Sequence, residues 1–209
     1  RREAKFIDVG KKGFGTHVTQ NVINEHLIRE AQAGYKVVRL KGGDPSVFGR
    51  LDEELAALSE YGIESSVVPG ITSASAGAAS LKQSLTRRDR NSSITFMTAH
   101  DAKGYAGHDW RQLVRSGQAL AIYMGRKSAS FLQGRLLMAG ADKDLVVTCV
   151  ENISRPDERR FTTTLYSFAQ RLDDDGWNGP LIIFVGIGQE RRVEDSSVST
   201  VKEATHGSY

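Results

Sequence analysis

The stretch at residues 37–50, Val-Val-Arg-Leu-Lys-Gly-Gly-Asp-Pro-Ser-Val-Phe-Gly-Arg, constrains the fold most. Its apolar start at 37–40 predicts a buried strand of the kind found in parallel sheets. Gly42 and Gly43 end the strand, because glycine adopts backbone angles closed to other residues and lets a ligand approach the main chain. Open α/β sheets bind ligands at glycine turns that follow a strand, although most glycine turns bind no ligand.

The same alternation of strand and helix recurs along the chain. Short apolar runs predict strands at 4–9, 37–40, 64–68, 92–99, 120–124, 145–150, 159–164 and 181–185. Apolar residues at helical spacing predict helices at 20–33, 51–61, 72–81, 128–139 and 167–172. This order predicts two α/β domains with the active-site cleft between them. We place the N-terminal domain at 1–101, the C-terminal domain at 102–188 and a polar tail at 189–209.

Charge and composition restrict the functional classes. The chain has 28 basic and 25 acidic residues and a formal net charge of +3, which is too weak to argue for nucleic acid alone. It suits a basic cleft for an acidic small molecule. No apolar run reaches the roughly 20 residues that a membrane helix needs. The single cysteine, Cys149, lies in a predicted buried strand, which fits a reducing cytoplasm.

Several motifs in a fixed order resemble one enzyme family. They are Val-Gly-Lys at 9–11, Arg-Leu-Lys-Gly-Gly-Asp-Pro at 39–45, Val-Phe-Gly-Arg at 47–50, Val-Pro-Gly-Ile-Thr-Ser at 68–73, Leu-Thr-Arg-Arg-Asp at 85–89, Tyr-Met-Gly at 123–125 and Val-Glu-Asn at 150–152. Over residues 7–188 the chain resembles the S-adenosylmethionine-dependent uroporphyrinogen-III C-methyltransferases, which are tetrapyrrole methylases. These enzymes make precorrin-2 for siroheme and cobalamin, so the resemblance implies that reaction here.

The resemblance implies S-adenosylmethionine as methyl donor, S-adenosylhomocysteine as its product, and no metal. Donor binding is expected to be mostly the work of backbone groups, with Met124 against the adenine ring. Without the resemblance, Met124 is as well explained as a core methionine at a strand end. The cofactor-binding residues that the resemblance implies are Gly42, Gly43, Asp44, Val47, Thr72, Ser73, Met124, Ile153, Pro180 and Leu181.

Lys11 is the catalytic residue that the resemblance implies. It would act as proton donor or as a cation that steers the substrate carboxylates, whereas the sequence alone gives one lysine in a glycine loop. The family's general base and its first glycine-proline loop are expected before Arg1. We therefore expect the chain to be incomplete at its N-terminus, and we expect it to be impaired in catalysis on its own.

The implied substrate, uroporphyrinogen III, has eight carboxylates, and arginine binds carboxylates with two parallel hydrogen bonds. Arg39 and Arg50 flank the central motif and are the first choices for this role, with Arg88 third. A solvated basic loop explains Arg88 nearly as well, and the family usually has histidine where this chain has Arg87. From the family we also expect a homodimer in the cytoplasm, without nucleic-acid or membrane partners.

Rival interpretations lack specific support. A nicotinamide dehydrogenase requires a third glycine, which Gly13-Phe-Gly15 does not have at the necessary spacing. The five histidines show no metal-ligand spacing with Cys149. Two alternative functions stay open: a methylase of a later corrin precursor, and a non-catalytic α/β module that binds a small molecule or nucleic acid. Binding of S-adenosylhomocysteine, without binding of NADH or oligonucleotide, separates a methylase from the other classes.

Overall fold

The computed structural model describes residues 3–10, 18–88, 91–101 and 104–187, together with the backbone at 199–200. The chain divides into two units, residues 1–72 and 73–209. This division falls before the boundary near residue 101 that the change in sequence pattern indicates, and that boundary stays a prediction. No helix among the described residues is long and apolar enough to cross a membrane.

The first unit is built on two helices. These are α1 (Gln20–Gln32) and α2 (Leu51–Glu60), at the positions that the apolar spacing predicts. The side chain of Thr19 caps α1 by accepting a hydrogen bond from the N–H of Val22. Arg50 precedes α2 in the left-handed conformation, with a φ of 56°. Three acidic residues at 52–54 occupy the first turn of α2, where the helix dipole favours negative charge.

The prediction of three strands in the first unit is wrong. The segments at 4–9, 37–40 and 64–68 are assigned to no strand, and both sheets among the described residues lie in the second unit. Val38 is 71% exposed, Leu40 78% and Val68 80%, so the run at 37–40 is not buried either. A strand needs a neighbour that completes a ladder of backbone hydrogen bonds, and high β propensity does not provide that neighbour.

The second unit contains a six-stranded mixed sheet. Its strands are β1 (Ile94–Thr98), β4 (Ala119–Tyr123), β5 (Val146–Glu151), β6 (Arg159–Thr164), β7 (Leu181–Val185) and β8 (Ser199–Thr200). Their order across the sheet is β1-β4-β7-β5-β6-β8. β1 and β4 run parallel, whereas the remaining neighbours run antiparallel. The strands that the sequence predicts between 92 and 185 are therefore confirmed.

The helices of the second unit are α3 (Ser73–Ser80), α4 (Trp110–Arg115), α5 (Ala129–Met138) and α6 (Phe168–Asp174). A short 3-10 turn, Arg126–Ser128, precedes α5. Helix α4 and the hairpin of β2 (His100–Asp101) with β3 (Gly104–Tyr105) lie between the predicted strands at 92–99 and 120–124, where the sequence pattern predicts no helix or strand. Each of these elements is at most six residues long, too short for a periodic pattern to identify.

The core of the second unit lies around β4, β5 and β7, whose apolar side chains are almost wholly buried. Its largest fully buried members include Phe161, Phe168, Trp177 and Phe184. Cys149 belongs to this core, as the sequence predicts, and burial raises the pKa of its thiol far above the ordinary range. The second unit therefore provides a rigid sheet whose strand ends can hold loops in fixed positions.

Candidate functional site

In the first unit, the glycine turn of the central motif is held by a second glycine turn. Gly42 and Gly43 are exposed and Asp44 is half-buried. One carboxylate oxygen of Asp44 accepts the N–H of Ser46 at 2.8 Å, and the other accepts the N–H of Gly70 at 3.0 Å. We call Gly42, Gly43, Asp44 and Gly70 the glycine-turn cluster.

The two turns of this cluster approach each other at backbone distance. Gly43 has a φ of +92°, a conformation that other residues rarely adopt. A Cβ atom on Gly70 would lie only 2.5 Å from the carbonyl oxygen of Gly43. Only glycine therefore fits at position 70, and this contact brings Gly42 and Gly43 close to a residue two positions before Thr72.

Asp44 is a fixed anion in the glycine-turn cluster. Hydrogen bonds from the side chain of Ser46, from the N–H of Gly70 and from the N–H of Ser46 favour the charged form and hold the pKa of its carboxyl below the usual value. The carboxylate is thus ionised at neutral pH. These three donors leave about one of the four lone-pair positions of the carboxylate, so it can accept a hydrogen bond from a ligand ammonium or hydroxyl.

A buried carboxylate organises the other polar side chains of the first unit. Glu54 of α2 is 4% exposed and accepts hydrogen bonds from Lys41 at 2.8 Å, Gln20 at 3.2 Å and Arg39 at 3.3 Å. Burial raises the pKa of Glu54, but hydrogen bonds from Lys41 and Gln20 and the charges of Lys41 and Arg39 outweigh it, so the pKa lies below the usual value. Arg39 is therefore part of an internal network.

Arg50 forms a two-point ion pair with Glu53. Its Nε donates to Glu53 Oε1 at 2.7 Å and its Nη2 donates to Oε2 at 2.6 Å. These hydrogen bonds to Glu53 raise the pKa of the Arg50 guanidinium. They occupy two of the five N–H donors of the guanidinium. Both first-choice arginines thus already face a carboxylate of the protein, which sequence spacing did not indicate.

In the second unit, the ends of three strands meet at one edge of the sheet. Tyr123 of β4 pairs with Ile182 of β7, and Glu151 of β5 pairs with Leu181. Because β7 begins where β4 and β5 end, the register brings together the residues that flank these strand ends. We call Met124, Asn152, Ile153 and Pro180 the strand-end cluster.

Two members of the strand-end cluster have left-handed backbones. Met124 has a φ of 54° and Asn152 a φ of 53°. Asparagine adopts this conformation readily, whereas for methionine it costs about 1–3 kcal/mol and tends to occur at functional positions. Met124 is 55% exposed, which excludes the interpretation of this residue as a core methionine.

A buried glutamate holds the loop that leads into β7. Glu151 is 2% exposed and accepts a hydrogen bond from Arg159 Nε at 2.6 Å and another from the N–H of Gly179. The guanidinium of Arg159 lies 4.2 Å from the ring centroid of Trp177. The N–H of Asn152 donates to the carbonyl of Pro180 at 2.9 Å. These bonds fix Pro180 beside the end of β5. Glu151 belongs to the Val-Glu-Asn motif at 150–152, but sequence reasoning assigned it no role, because its partners Arg159 and Gly179 lie further along the chain.

Helix α3 packs on the same unit through its small residues. A Cβ on Gly77 would come within 3.1 Å of the Phe184 ring and 3.0 Å of Ile153, so the helix approaches the sheet closely. Ser80, at the far end, accepts a hydrogen bond from Arg160 at 2.8 Å through its carbonyl. The dense run of small residues at 73–80 therefore serves close packing against the sheet and against Ile153.

The remaining predicted site residues have varied surroundings. Lys11, the predicted catalytic residue, lies outside the described residues. Val47 is half-buried, Thr72 is buried and Ser73 is the first residue of α3. Leu181 is 6% exposed and belongs to the core of the second unit, whereas Arg88 is exposed. Of the predicted donor-binding residues in the second unit, Met124, Ile153 and Pro180 gather at the strand-end cluster.

Taken separately, the first unit presents exposed glycine backbone beside a fixed anion, and the second unit presents left-handed residues at the ends of its sheet strands. The helices and the mixed sheet make this an α/β protein. Residues 2–169 match the family model described as Tetrapyrrole (Corrin/Porphyrin) Methylases. The match covers most of the chain, and the chain therefore belongs to the tetrapyrrole methylase family.

Individual relatives agree with this assignment. The chain is 40% identical over 189 residues to siroheme synthase 1 of Klebsiella pneumoniae, a match that covers 90% of this chain and 39% of the relative. It is 33% identical to the uroporphyrin-III C-methyl transferase of Thermus thermophilus, solved in complex with S-adenyl homocysteine. That match has a TM-score of 0.68 and covers 79% of this chain and 72% of the Thermus chain.

A cobalt precorrin-4 methyltransferase, an enzyme of cobalamin biosynthesis, has a TM-score of 0.74 and 23% identity, and the match covers 83% of this chain and 72% of that enzyme. At this identity the likeness shows the fold alone. The chain spans about two fifths of the length of the curated siroheme synthases that it matches.

Proposed function

We propose that this protein transfers methyl groups from S-adenosylmethionine to C-2 and C-7 of uroporphyrinogen III, which gives precorrin-2 in siroheme and cobalamin biosynthesis. The observation that carries the proposal is the match to the Thermus thermophilus methyltransferase, at 33% identity, whose structure contains S-adenyl homocysteine. Membership of the tetrapyrrole methylase family supports the same reaction class.

The residues that the structure describes fit a sulfonium donor. Gly42 and Gly43 have exposed backbone, which suits contact with the carboxylate and ribose, and the ionised Asp44 can accept hydrogen bonds from the donor's amino group. Met124 offers an exposed, polarisable thioether that suits a flat adenine ring. When bound, the sulfonium provides an activated methyl group, so the protein's main task is to align donor and acceptor.

We propose donor-binding residues in each unit, and each residue can be tested by a substitution of its own. They are Gly42, Gly43, Asp44, Val47 and Thr72 of the first unit and Ser73, Met124, Ile153, Pro180 and Leu181 of the second. Leu181 would act from the core, by fixing the start of β7 next to Pro180. Lys11 stays the proposed catalytic residue, as proton donor or as a cation for the substrate carboxylates.

The carboxylates of the substrate would be bound by arginine. Arg50 retains three N–H donors beyond the two that Glu53 accepts, so it can bind a substrate carboxylate while staying ion-paired. Arg39 is partly committed to the buried Glu54, and its contribution is expected to be smaller. Arg88 is exposed and completes the proposed set. We also propose that the protein is a cytoplasmic homodimer. Light scattering would measure the mass of the dimer.

Calorimetric titration with S-adenosylhomocysteine tests the donor site. We expect binding of S-adenosylhomocysteine and none of NADH or an oligonucleotide. We expect Met124→Ala to raise Kd about tenfold, because the adenine loses a contact with a polarisable thioether. We expect Lys11→Ala to leave Kd unchanged while lowering turnover in a complete chain. Met138→Ala is the matched control, since Met138 is 80% exposed at the end of α5. Binding of NADH or oligonucleotide in place of S-adenosylhomocysteine would reject the proposal, and equal loss of affinity in the Met124 and Lys11 variants would reject their assigned roles.

A further inference from the structure

Tyr123 connects the end of a strand to the start of a helix. It is the last residue of β4, and its phenol oxygen accepts a hydrogen bond from the backbone N–H of Ala74 at 3.1 Å. Tyr123 is 8% exposed and Ala74 is fully buried. The bond joins residues 49 positions apart in the chain, entirely within the second unit.

The phenol is a well-fixed acceptor. Tyr123 lies between two strands of the sheet, paired with Thr98 of β1 on one side and Ile182 of β7 on the other. Its carbonyl oxygen accepts the N–H of Ala99 at 3.1 Å. Its ring meets the Phe96 ring edge-on, with centroids 6.0 Å apart. Strand pairing on both sides and this ring contact leave the hydroxyl little freedom to move.

Helix α3 needs this acceptor at its first turn. The first N–H groups of any helix have no partner within the helix. Ala74 is the second residue of α3, and its N–H donates to the phenol oxygen of Tyr123. The rest of the helix is held by the close approach at Gly77 and by the Arg160 bond to Ser80. Tyr123 therefore fixes the N-terminal end of α3, and these other contacts fix its middle and its end.

The bond joins the immediate neighbours of two proposed donor-binding residues. Ser73 precedes Ala74, and Met124 follows Tyr123. We propose that Tyr123 is a positioning residue for donor binding: its phenol fixes the start of α3 relative to Met124, and it does so without contacting the donor. This inference rests on the proposed function, because it assumes that Ser73 and Met124 contact S-adenosylmethionine.

Tyr123→Phe removes only the oxygen and tests the role directly. We expect the Kd for S-adenosylhomocysteine to rise about tenfold in calorimetry, measured at a temperature where circular dichroism shows the variant fully folded. A purely structural role would lower the melting temperature but leave the Kd of the folded protein unchanged. Tyr166→Phe is the matched control, since Tyr166 is 69% exposed, and it should leave Kd unchanged.

A second measurement needs no variant. Coupling between two sites is reciprocal, so donor binding should stabilise the bond that positions the donor. We expect saturating S-adenosylhomocysteine to slow hydrogen exchange of the Ala74 amide by at least tenfold. Unchanged exchange at Ala74, or a Tyr123→Phe variant with the wild-type Kd, would overturn the role of Tyr123. Failure of the wild-type protein to bind S-adenosylhomocysteine would overturn the proposed function itself.

Discussion

Replacing Gly70 by alanine tests whether the spacing of the glycine-turn cluster matters for donor binding. The new Cβ would lie 2.5 Å from the Gly43 carbonyl oxygen, 3.0 Å from the Gly43 carbonyl carbon and 3.2 Å from the Asp44 Cα. All three are backbone atoms, so no side-chain rotation can relieve the overlap. The two turns must separate to accommodate the methyl group.

The size of the required movement follows from these distances. Restoring an ordinary contact of about 3.4 Å opens the gap to Gly43 by about 0.9 Å. The hydrogen bond from the Gly70 N–H to Asp44, now 3.0 Å, would lengthen to about 3.9 Å and be lost. We expect the overlap to lower the free energy of unfolding by about 1–2 kcal/mol. We expect Kd for S-adenosylhomocysteine to rise about tenfold, because a displacement approaching 1 Å disrupts binding geometry.

Urea denaturation measures the stability change, and calorimetry at low urea measures Kd in the same variant. Gly134→Ala is the matched control: a Cβ at Gly134 meets no atom within 4 Å, and alanine in the middle of α5 should stabilise the helix by up to about 1 kcal/mol. This control should leave Kd unchanged. A Gly70→Ala variant that binds S-adenosylhomocysteine as tightly as the wild type would show that donor binding does not depend on the spacing of the glycine-turn cluster.

Two further predictions concern buried ionisable groups. Glu54→Gln should lower the free energy of unfolding by about 2–3 kcal/mol at pH 7, because Lys41 and Arg39 lose a buried anion. The pKa of Glu54 in the folded protein lies below the ordinary 4.5, so the stability that its carboxylate contributes is present above pH 4.5 and is lost as the pH falls through the folded pKa. Urea denaturation at pH 7 and at pH 3 should therefore show that the difference in unfolding free energy between wild type and Glu54→Gln is smaller in acid. Cys149, fully buried and with a raised pKa, should resist iodoacetamide in the folded protein and react only in denaturant, whereas rapid labelling of the native protein would contradict its burial.

The five longer strands of the second unit were predictable from sequence because each of them finds its neighbours within that unit. The strands observed at β1, β4, β5, β6 and β7 lie within two residues of the predicted ranges. The first unit shows the limit of the same reasoning. The apolar run at 37–40 has the composition of a buried strand, yet Val38 and Leu40 are exposed. Local composition reports the tendency to form a strand, and pairing depends on what lies beside it.

The candidate site divides in the same way. Sequence spacing identified the Gly42–Gly43–Asp44 turn, because the turn is local. It could not identify the bond from Gly70 to Asp44, which spans 26 positions, or the bond from Arg39 to Glu54, which spans 15. The latter gives Arg39 a structural partner in addition to its proposed role toward substrate. Such contacts arise only when the chain folds, and residue spacing does not report them.

The most direct test of the proposed function is the mass of the tetrapyrrole product. A complete chain is incubated with S-adenosylmethionine and uroporphyrinogen III under anaerobic conditions, and the products are analysed by mass spectrometry with isotope-labelled methyl donor. We predict a tetrapyrrole that has gained two labelled methyl groups, together with S-adenosylhomocysteine. Unmodified uroporphyrinogen III, or methylation only of a later corrin precursor offered in parallel, would contradict the proposed function.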